Sequence, residues 1–353
     1  MKNKILMKGN IALCEGAIAA GVKGFFGYPI TPQNEIPAHM SKRLPELGRV
    51  FLQAESEIAA INMVLGATTT GYRAMTSSSS PGISLKQEGI SYIAGLELPA
   101  VIVNVQRGGP GLGNIAGSQA DYFQSTKGGG HGDYRLLVLA PNSAQEMYDF
   151  GYLAFDLAEK YRNPVLILSD GIVGQMMEPV VLDKKIKEPP KLNEKWVLDG
   201  AKGRPPRFLR SLMMEEGVLE EHNWHLKEKY DRITKNETRC EETDTKDADI
   251  ILVAFGISSR AAKSAVKSAR KKGIKAGLIR PITLWPFPTD ALRAAAKPGR
   301  KFLTVEMNLG QMVEDVRLAV CDKCPVELLS LPGGSVINEI DVLKKIQAID
   351  NKI

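Results

Sequence analysis

The chain has 353 residues, 44% of them hydrophobic and 24% charged, with a formal net charge of +6. At roughly 150 residues per domain it should hold two domains, and no apolar run approaches the ~20 residues of a membrane span. The apolar stretch before Lys8 is too short for a signal-peptide core, which points to a cytoplasmic protein, and the densest basic run, Lys263 to Lys275, reads as a solvated helix face rather than a nucleic-acid footprint.

The first predicted strand, Gly24–Gly27, runs into Tyr28-Pro29-Ile30-Thr31-Pro32. Two prolines stiffen this backbone. That serves equally as a rigid turn or as a mount presenting the Thr31 hydroxyl at a sheet edge. Next comes an apolar helix opened by two acids, in the segment Gln53 to Ala67. Acids in a first helical turn are ordinary, because the helix dipole favours them. The other reading of Glu55 or Glu57 is a carboxyl aimed into an apolar pocket, ready to share a proton with a heterocycle.

Strands follow at Ala74–Thr76 and Val101–Val105, separated by a stretch that begins with four serines, Ser77 to Ser80. Just past the second strand stand Arg107 and the glycine-rich Gly108-Gly109-Pro110-Gly111. Ligands in open α/β sheets bind at that edge, and a guanidinium holds a carboxylate with two parallel hydrogen bonds; a purely structural arginine is the alternative. Gly111-Leu112-Gly113-Asn114-Ile115-Ala116 also fits a dinucleotide fingerprint, but no amphipathic helix follows directly and no strand ending in an acid appears ~20 residues on.

Strands Leu136–Ala140 and Val165–Leu168 flank a helix from Ser143 to Tyr161. Met147, Phe150, Ala154, Leu157 and Tyr161 recur at helical spacing, and Ser143 with Glu146 forms a capping box. Strands alternating with helices predict an α/β fold, a mainly parallel sheet with helices on both faces. From about Lys184 prolines and charges interrupt the pattern. Glu215 to Glu242 reads as a polar connector helix with a seam at Leu219, Leu226, Tyr230 and Ile233. His222 and His225 within it are metal ligands on one reading and solvated side chains on the other, which the setting favours. A smaller α/β domain begins near Asp249, with strands at 250–255, 274–279, 302–305 and 326–329 and helices at 258–272, 289–297 and 311–320. Of four cysteines only Cys321 and Cys324 form a C-x-x-C pair, and no second pair completes a four-ligand cluster or zinc site.

Phe26-Gly27-Tyr28-Pro29-Ile30-Thr31-Pro32, Glu55 to Ala67, Arg107-Gly108-Gly109-Pro110-Gly111, Gly129-Gly130-His131-Gly132-Asp133, Ser169-Asp170-Gly171 and Asn308-Leu309-Gly310-Gln311-Met312 together resemble the alpha-type subunit of 2-oxoacid:ferredoxin oxidoreductases. The match runs in order along nearly the whole chain and is most similar to the 2-oxoisovalerate (branched-chain) member. The resemblance implies a pyrimidine-type thiamine diphosphate-binding domain over residues 1–183, a linker with a connector helix over 184–247, and a smaller transketolase C-terminal-like α/β domain over 248–353.

It further implies that Glu57, rather than Glu55, bonds the aminopyrimidine ring of thiamine diphosphate, with Tyr28 and Pro29 beside the cofactor. Thr31 and Arg107 would contact the 2-oxoacid. The cofactor would be shared with a beta-type subunit. Since Ser169 replaces the first glycine of a G-D-G motif and no suitable Asn follows, no metal ligand is assigned to this chain. Mg²⁺ and the 4Fe-4S clusters fall to partners: the beta-type subunit, a gamma-type subunit and a ferredoxin-like cluster subunit. Ferredoxin takes the electrons and coenzyme A the acyl group. Between Arg107 and Lys127 there is no further basic residue, whereas Leu112, Ile115 and Ala116 offer an apolar pocket, which favours a branched-chain acid. Lys86 or Arg73 reaching the site would favour 2-oxoglutarate instead. A self-sufficient thiamine enzyme, a non-catalytic scaffold subunit and a nicotinamide-linked oxidoreductase are the rival classes.

Overall fold

The computed structural model describes residues 4–350. Its central element is a seven-stranded sheet, ordered Thr283–Trp285, Leu137–Leu139, Val165–Asp170, Ala100–Gln106, Ala74–Ser78, Gly24–Gly27, Val50–Gln53. All neighbours are parallel except the first pair. Strand Ala100–Gln106 shows why these residues form a doubly covered sheet. Val101, Val103 and Val105 point into one core and Ile102 into the other, all fully buried, the period-2 alternation of a strand with helices on both faces. Burying each such side chain contributes about 1.5–3 kcal/mol.

Over one face the helix Gly9–Ala19 packs against Ala144–Tyr161. A Cβ on Gly151 would stand 2.5 Å from the Leu13 carbonyl oxygen, so only glycine permits that approach. Ser143 caps the second helix, its Oγ accepting from Glu146 N at 3.2 Å. The Glu146 carboxylate accepts not from the Ser143 amide but from that of Asn142, and the same carboxylate also pairs with buried Arg280.

A second sheet of five strands is ordered Val326–Ser330, Lys301–Glu306, Ile250–Val253, Ala276–Pro281, Cys240–Thr243. The last strand, antiparallel at the edge, corrects the expected connector helix: that helix spans Val218–Glu237 and stops before it. Leu226, Tyr230 and Ile233 are buried as expected, but Leu219 is exposed. Thr283–Trp285 leaves the second sheet to pair with the first, and Lys4–Lys8 with Met177–Val181 makes a separate two-stranded ribbon. Lys263 and Arg270, in the basic run, pair with Glu241 and Asp247. Among the described residues no helix is long and apolar enough to cross a membrane.

Asp170 joins the two sheets. One carboxylate oxygen accepts from the amides of Ile172 and Val173, the other from Ile257 at the start of the helix Gly256–Lys271. Burial pushes this carboxyl up to about 6, against the pull of those three amides. The folded chain therefore holds its proton more tightly than the unfolded chain, where a carboxyl titrates near ~3.9, so the group's contribution to stability falls as pH rises through that window. Asp170→Asn turns an amide group towards Ile257 N–H and is expected to cost about 2 kcal/mol. In urea titrations, the wild type's margin over this variant should shrink between about pH 4 and pH 6.

Candidate active site

The carboxyl ends of the parallel strands carry the residues singled out above, as the topology of such sheets requires of a ligand site. The helix Glu57–Thr69 follows the edge strand, capped by Ser56, whose Oγ accepts from Ala59 N. Its first residue, Glu57, is buried, while Glu55 lies outside the helix and is exposed. The Glu57 carboxyl packs against the helix Ser80–Gly95. A Cβ at Gly82 would meet Glu57 Oε1 at 2.6 Å and Ser78 Oγ at 2.1 Å. Serines 78 and 79 present buried hydroxyls with no hydrogen-bond partner. An acid that accepts no hydrogen bond among the described residues thus sits beside the orphaned hydroxyl of Ser78, with that of Ser79 next in the chain.

Arg107 stands at the other end of the same helical turn. It is 7% exposed. Its Nη1 donates to the Thr31 carbonyl oxygen at 3.0 Å and its Nη2 to that of Leu112 at 3.2 Å, while Nε is buried without a partner. No carboxylate pairs with it among the described residues. The Arg107 amide donates to Ser80 Oγ at 3.0 Å, and Ser80 Oγ donates to Asp121. Asp121 also accepts from Asn104 Nδ2 at 2.8 Å; burial pushes its carboxyl up, offset by Ser80 and Asn104. Ser80 therefore touches Arg107, and Gly82, two residues on, touches Glu57. The Arg107 backbone and the Glu57 carboxyl thus both meet the start of the helix Ser80–Gly95, while the guanidinium itself reaches the Thr31 and Leu112 carbonyls.

Thr31 does meet Arg107, but through its carbonyl; its hydroxyl accepts from Asn34 at 3.3 Å. Tyr28 and Pro29 are exposed on the same turn, which buried Gln33 braces by donating to the Tyr28 carbonyl. Leu112 and Ile115 are 81% and 65% exposed, so they do not close an apolar pocket within this chain. Their loop is pinned by Asn114, which donates to the Gly333 carbonyl. Arg73 cannot reach the site. It precedes its strand, at the opposite edge of the sheet, and is consumed by Asp156 and Glu159.

The outer faces of the two helices around Glu57 expose Ile58, Met63, Leu85 and Tyr92, an apolar surface unusual for a helix in water. A cleft of about 790 Å³ lies elsewhere, between the connector helix and residues 132–135; its Lys127 and Lys227 are already paired with Asp315 and Asp231. His222 contacts the Gly95 carbonyl and His225 pairs with Glu97, docking contacts of the connector. Cys321 and Cys324 are free thiols bonded to separate carbonyls. Among the described residues no three His, Cys, Asp or Glu side chains are placed to hold a metal ion.

Sequence reasoning missed Asp121, Ser78, Ser79 and Gln33, whose roles arise from burial; the four serines gave the only local signal. The donor and acceptor chemistry of this edge fits the pyrimidine end of thiamine, because an unpartnered acid and unpartnered serine hydroxyls offer polar partners, and Gly82 lacks the Cβ that would displace the acid.

Comparison with known proteins bears on this site. A family model described as pyruvate flavodoxin/ferredoxin oxidoreductase, thiamine diphosphate-binding, matches residues 15–244, and one for pyruvate:ferredoxin oxidoreductase core domain II matches residues 248–342. The ketoisovalerate oxidoreductase subunit VorB of Methanothermobacter marburgensis is 53% identical over 98% of this chain and 97% of its own length. The 2-oxoglutarate synthase subunit KorA of Methanothermobacter thermautotrophicus is 38% identical over 98% of this chain and 99% of its own. Among solved structures, the 2-oxoglutarate:ferredoxin oxidoreductase of Magnetococcus marinus, with 2-oxoglutarate, coenzyme A and succinyl-CoA bound, superimposes with a TM-score of 0.88 at 26% identity. That likeness covers 98% of this chain, which spans 65% of the other. A split-gene transketolase shares the fold alone, with a TM-score of 0.61 at 16% identity.

Proposed function

Because this chain belongs to the pyruvate flavodoxin/ferredoxin oxidoreductase family, as an alpha-type subunit, we propose that it works in the cytoplasm as part of a 2-oxoisovalerate:ferredoxin oxidoreductase. The reaction converts a branched-chain 2-oxoacid, coenzyme A and oxidised ferredoxin to acyl-CoA, carbon dioxide and reduced ferredoxin. One observation carries the reading: the same sheet edge holds a buried guanidinium without a counter-ion, Arg107, whose backbone is fixed to Ser80, and a buried acid without a hydrogen bond, Glu57, packed on Gly82.

Thiamine diphosphate, when bound, supplies the nucleophilic carbon and the electron sink that decarboxylation needs. Glu57 holds a proton at the ring nitrogen of the aminopyrimidine, with Tyr28 and Pro29 beside the ring. Arg107 binds the 2-oxoacid carboxylate and, held by the Thr31 and Leu112 carbonyls, fixes its orientation before any chemistry occurs. Thr31 contributes through that brace. Ser80, Asn104 and Asp121 keep the Arg107 backbone in place.

The diphosphate, its Mg²⁺ and the 4Fe-4S clusters are assigned to partner chains. Asp170 has both oxygens occupied by backbone amides, and the cysteine pair bonds to separate carbonyls. A beta-type subunit covering Ile58, Met63, Leu85 and Tyr92 would complete the cofactor site, with gamma-type and ferredoxin-like subunits carrying coenzyme A chemistry and electrons onward. The parts of this chain are then residues 1–183, 184–247 and 248–353.

The substrate assignment rests on the higher identity to the ketoisovalerate relative than to the 2-oxoglutarate one, and on Leu112 and Ile115 beside Arg107 with Arg73 committed elsewhere. Discrimination in an apolar pocket amounts to about 1–3 kcal/mol per methylene, so overlap among aliphatic acids is expected. The test is kcat/KM of the purified complex for 2-oxoisovalerate against 2-oxoglutarate, with ferredoxin as acceptor. A preference for 2-oxoglutarate would move the chain to that branch, and turnover without any partner would remove the subunit reading.

A further inference from the structure

Lys86 is fully buried on the helix Ser80–Gly95. Its ammonium reaches one acceptor, Thr76 Oγ1, at 2.7 Å on the adjacent strand. Three donors facing one hydroxyl leave a buried cation far from satisfied. Gly82 lies four residues earlier, on the same helix face, and it is against Gly82 that the Glu57 carboxyl packs. Long helical side chains lean towards the N-terminus, here towards that carboxyl. Desolvation pulls the Lys86 amine down to about 7, and the field of Glu57 pulls it back up. A methionine would fill this space at no electrostatic cost, so the charge needs a reason.

The geometry points to Lys86 as a positioning residue that sets how Glu57 shares its proton with the pyrimidine ring of thiamine, an inference that rests on the role given to Glu57 above. The other charged groups around this layer are engaged or turned away. Asp121 is held by Ser80 and Asn104, Arg107 by two carbonyls, Glu88 by Tyr92 and Lys127 by Asp315. Tyr134 bonds Gln87, and His131 and Asp133 are exposed. Strands Ala74–Ser78 and Ala100–Gln106 bring no titratable side chain, and the helix Glu57–Thr69 brings Glu57 alone.

Where the amine carries its proton, a cation behind the acid disfavours a further positive charge on the ring. In the assembled enzyme, Lys86→Met should therefore raise by about one unit the pH at which the bound aminopyrimidine loses its ring proton, read from near-ultraviolet circular dichroism. It should lower kcat about tenfold while KM for the 2-oxoacid stays within about twofold, with no loss of thermal midpoint. Lys86→Arg, which keeps the charge, should hold the titration near that of the wild type. An unchanged titration midpoint in Lys86→Met overturns the proposal, as do equal midpoints in Lys86→Gln and Lys86→Arg should the methionine variant fail to assemble. If Glu57→Gln retains full turnover, the role of Glu57 and the proposal fall together; if Glu57→Gln is inactive and the Lys86→Met midpoint does not move, the proposal falls alone.

Discussion

Glu57→Gln is expected to lower kcat of the assembled enzyme about 10²- to 10⁴-fold, the usual range for loss of a positioned acid–base group. The substitution is nearly isosteric, so Gly82 and the two orphaned serines keep their places. What it removes is the capacity to hold or release a proton at the ring nitrogen. On the proposed reading the 2-oxoacid is held by Arg107 and not by Glu57, so its KM should change little, and steady-state kinetics separates the two effects. Activity within twofold of the wild type would leave Glu57 as an ordinary first-turn acid, in place only for the helix dipole. Glu55→Gln serves as the control, because that carboxyl is exposed and outside the helix, and it should be silent.

Arg107→Ala is expected to raise KM for the 2-oxoacid about 100-fold, corresponding to the loss of a desolvated charge-assisted pair worth about 3 kcal/mol. The free protein does not lose an ion pair by this change, since the guanidinium rests on two carbonyls and no carboxylate. Folding stability should fall far less than substrate affinity. Arg107→Lys keeps the charge without the planar fork and should lie between the two. If KM holds in both variants, the buried guanidinium is a structural strut between the turn at Thr31 and the loop at Leu112.

Central strands were legible because β-branched runs such as Val101–Val105, interrupted only by Asn104, admit few other readings. Of the edge strands of the two large sheets, only Val326–Ser330 was. Val50–Gln53, Cys240–Thr243 and Thr283–Trp285 are short, and exposed or half-buried residues lie in each; sheet pairing fixes them, and pairing is a long-range property. The same division separates the site residues. The pair Glu55 and Glu57 stood out because acids before an apolar helical run are a local pattern, with the family resemblance choosing Glu57, and Arg107 because glycines follow a buried strand. Asp121, Ser78 and Lys86 gain their meaning only when the helix Ser80–Gly95 lies across the sheet edge. The seam of the connector helix shows the converse error, since Leu219 has the right spacing yet lies beyond the surface on which Leu226, Tyr230 and Ile233 pack.

The most direct measurement is a structure of the assembled holoenzyme with thiamine diphosphate bound. The expected result is a Glu57 carboxyl oxygen within hydrogen-bond reach, about 2.6–3.2 Å, of the pyrimidine ring nitrogen, at a seam where a second chain covers Ile58 and Leu85 and holds the diphosphate. A thiamine located elsewhere, or a Glu57 carboxylate turned to solvent in the complete particle, would contradict it.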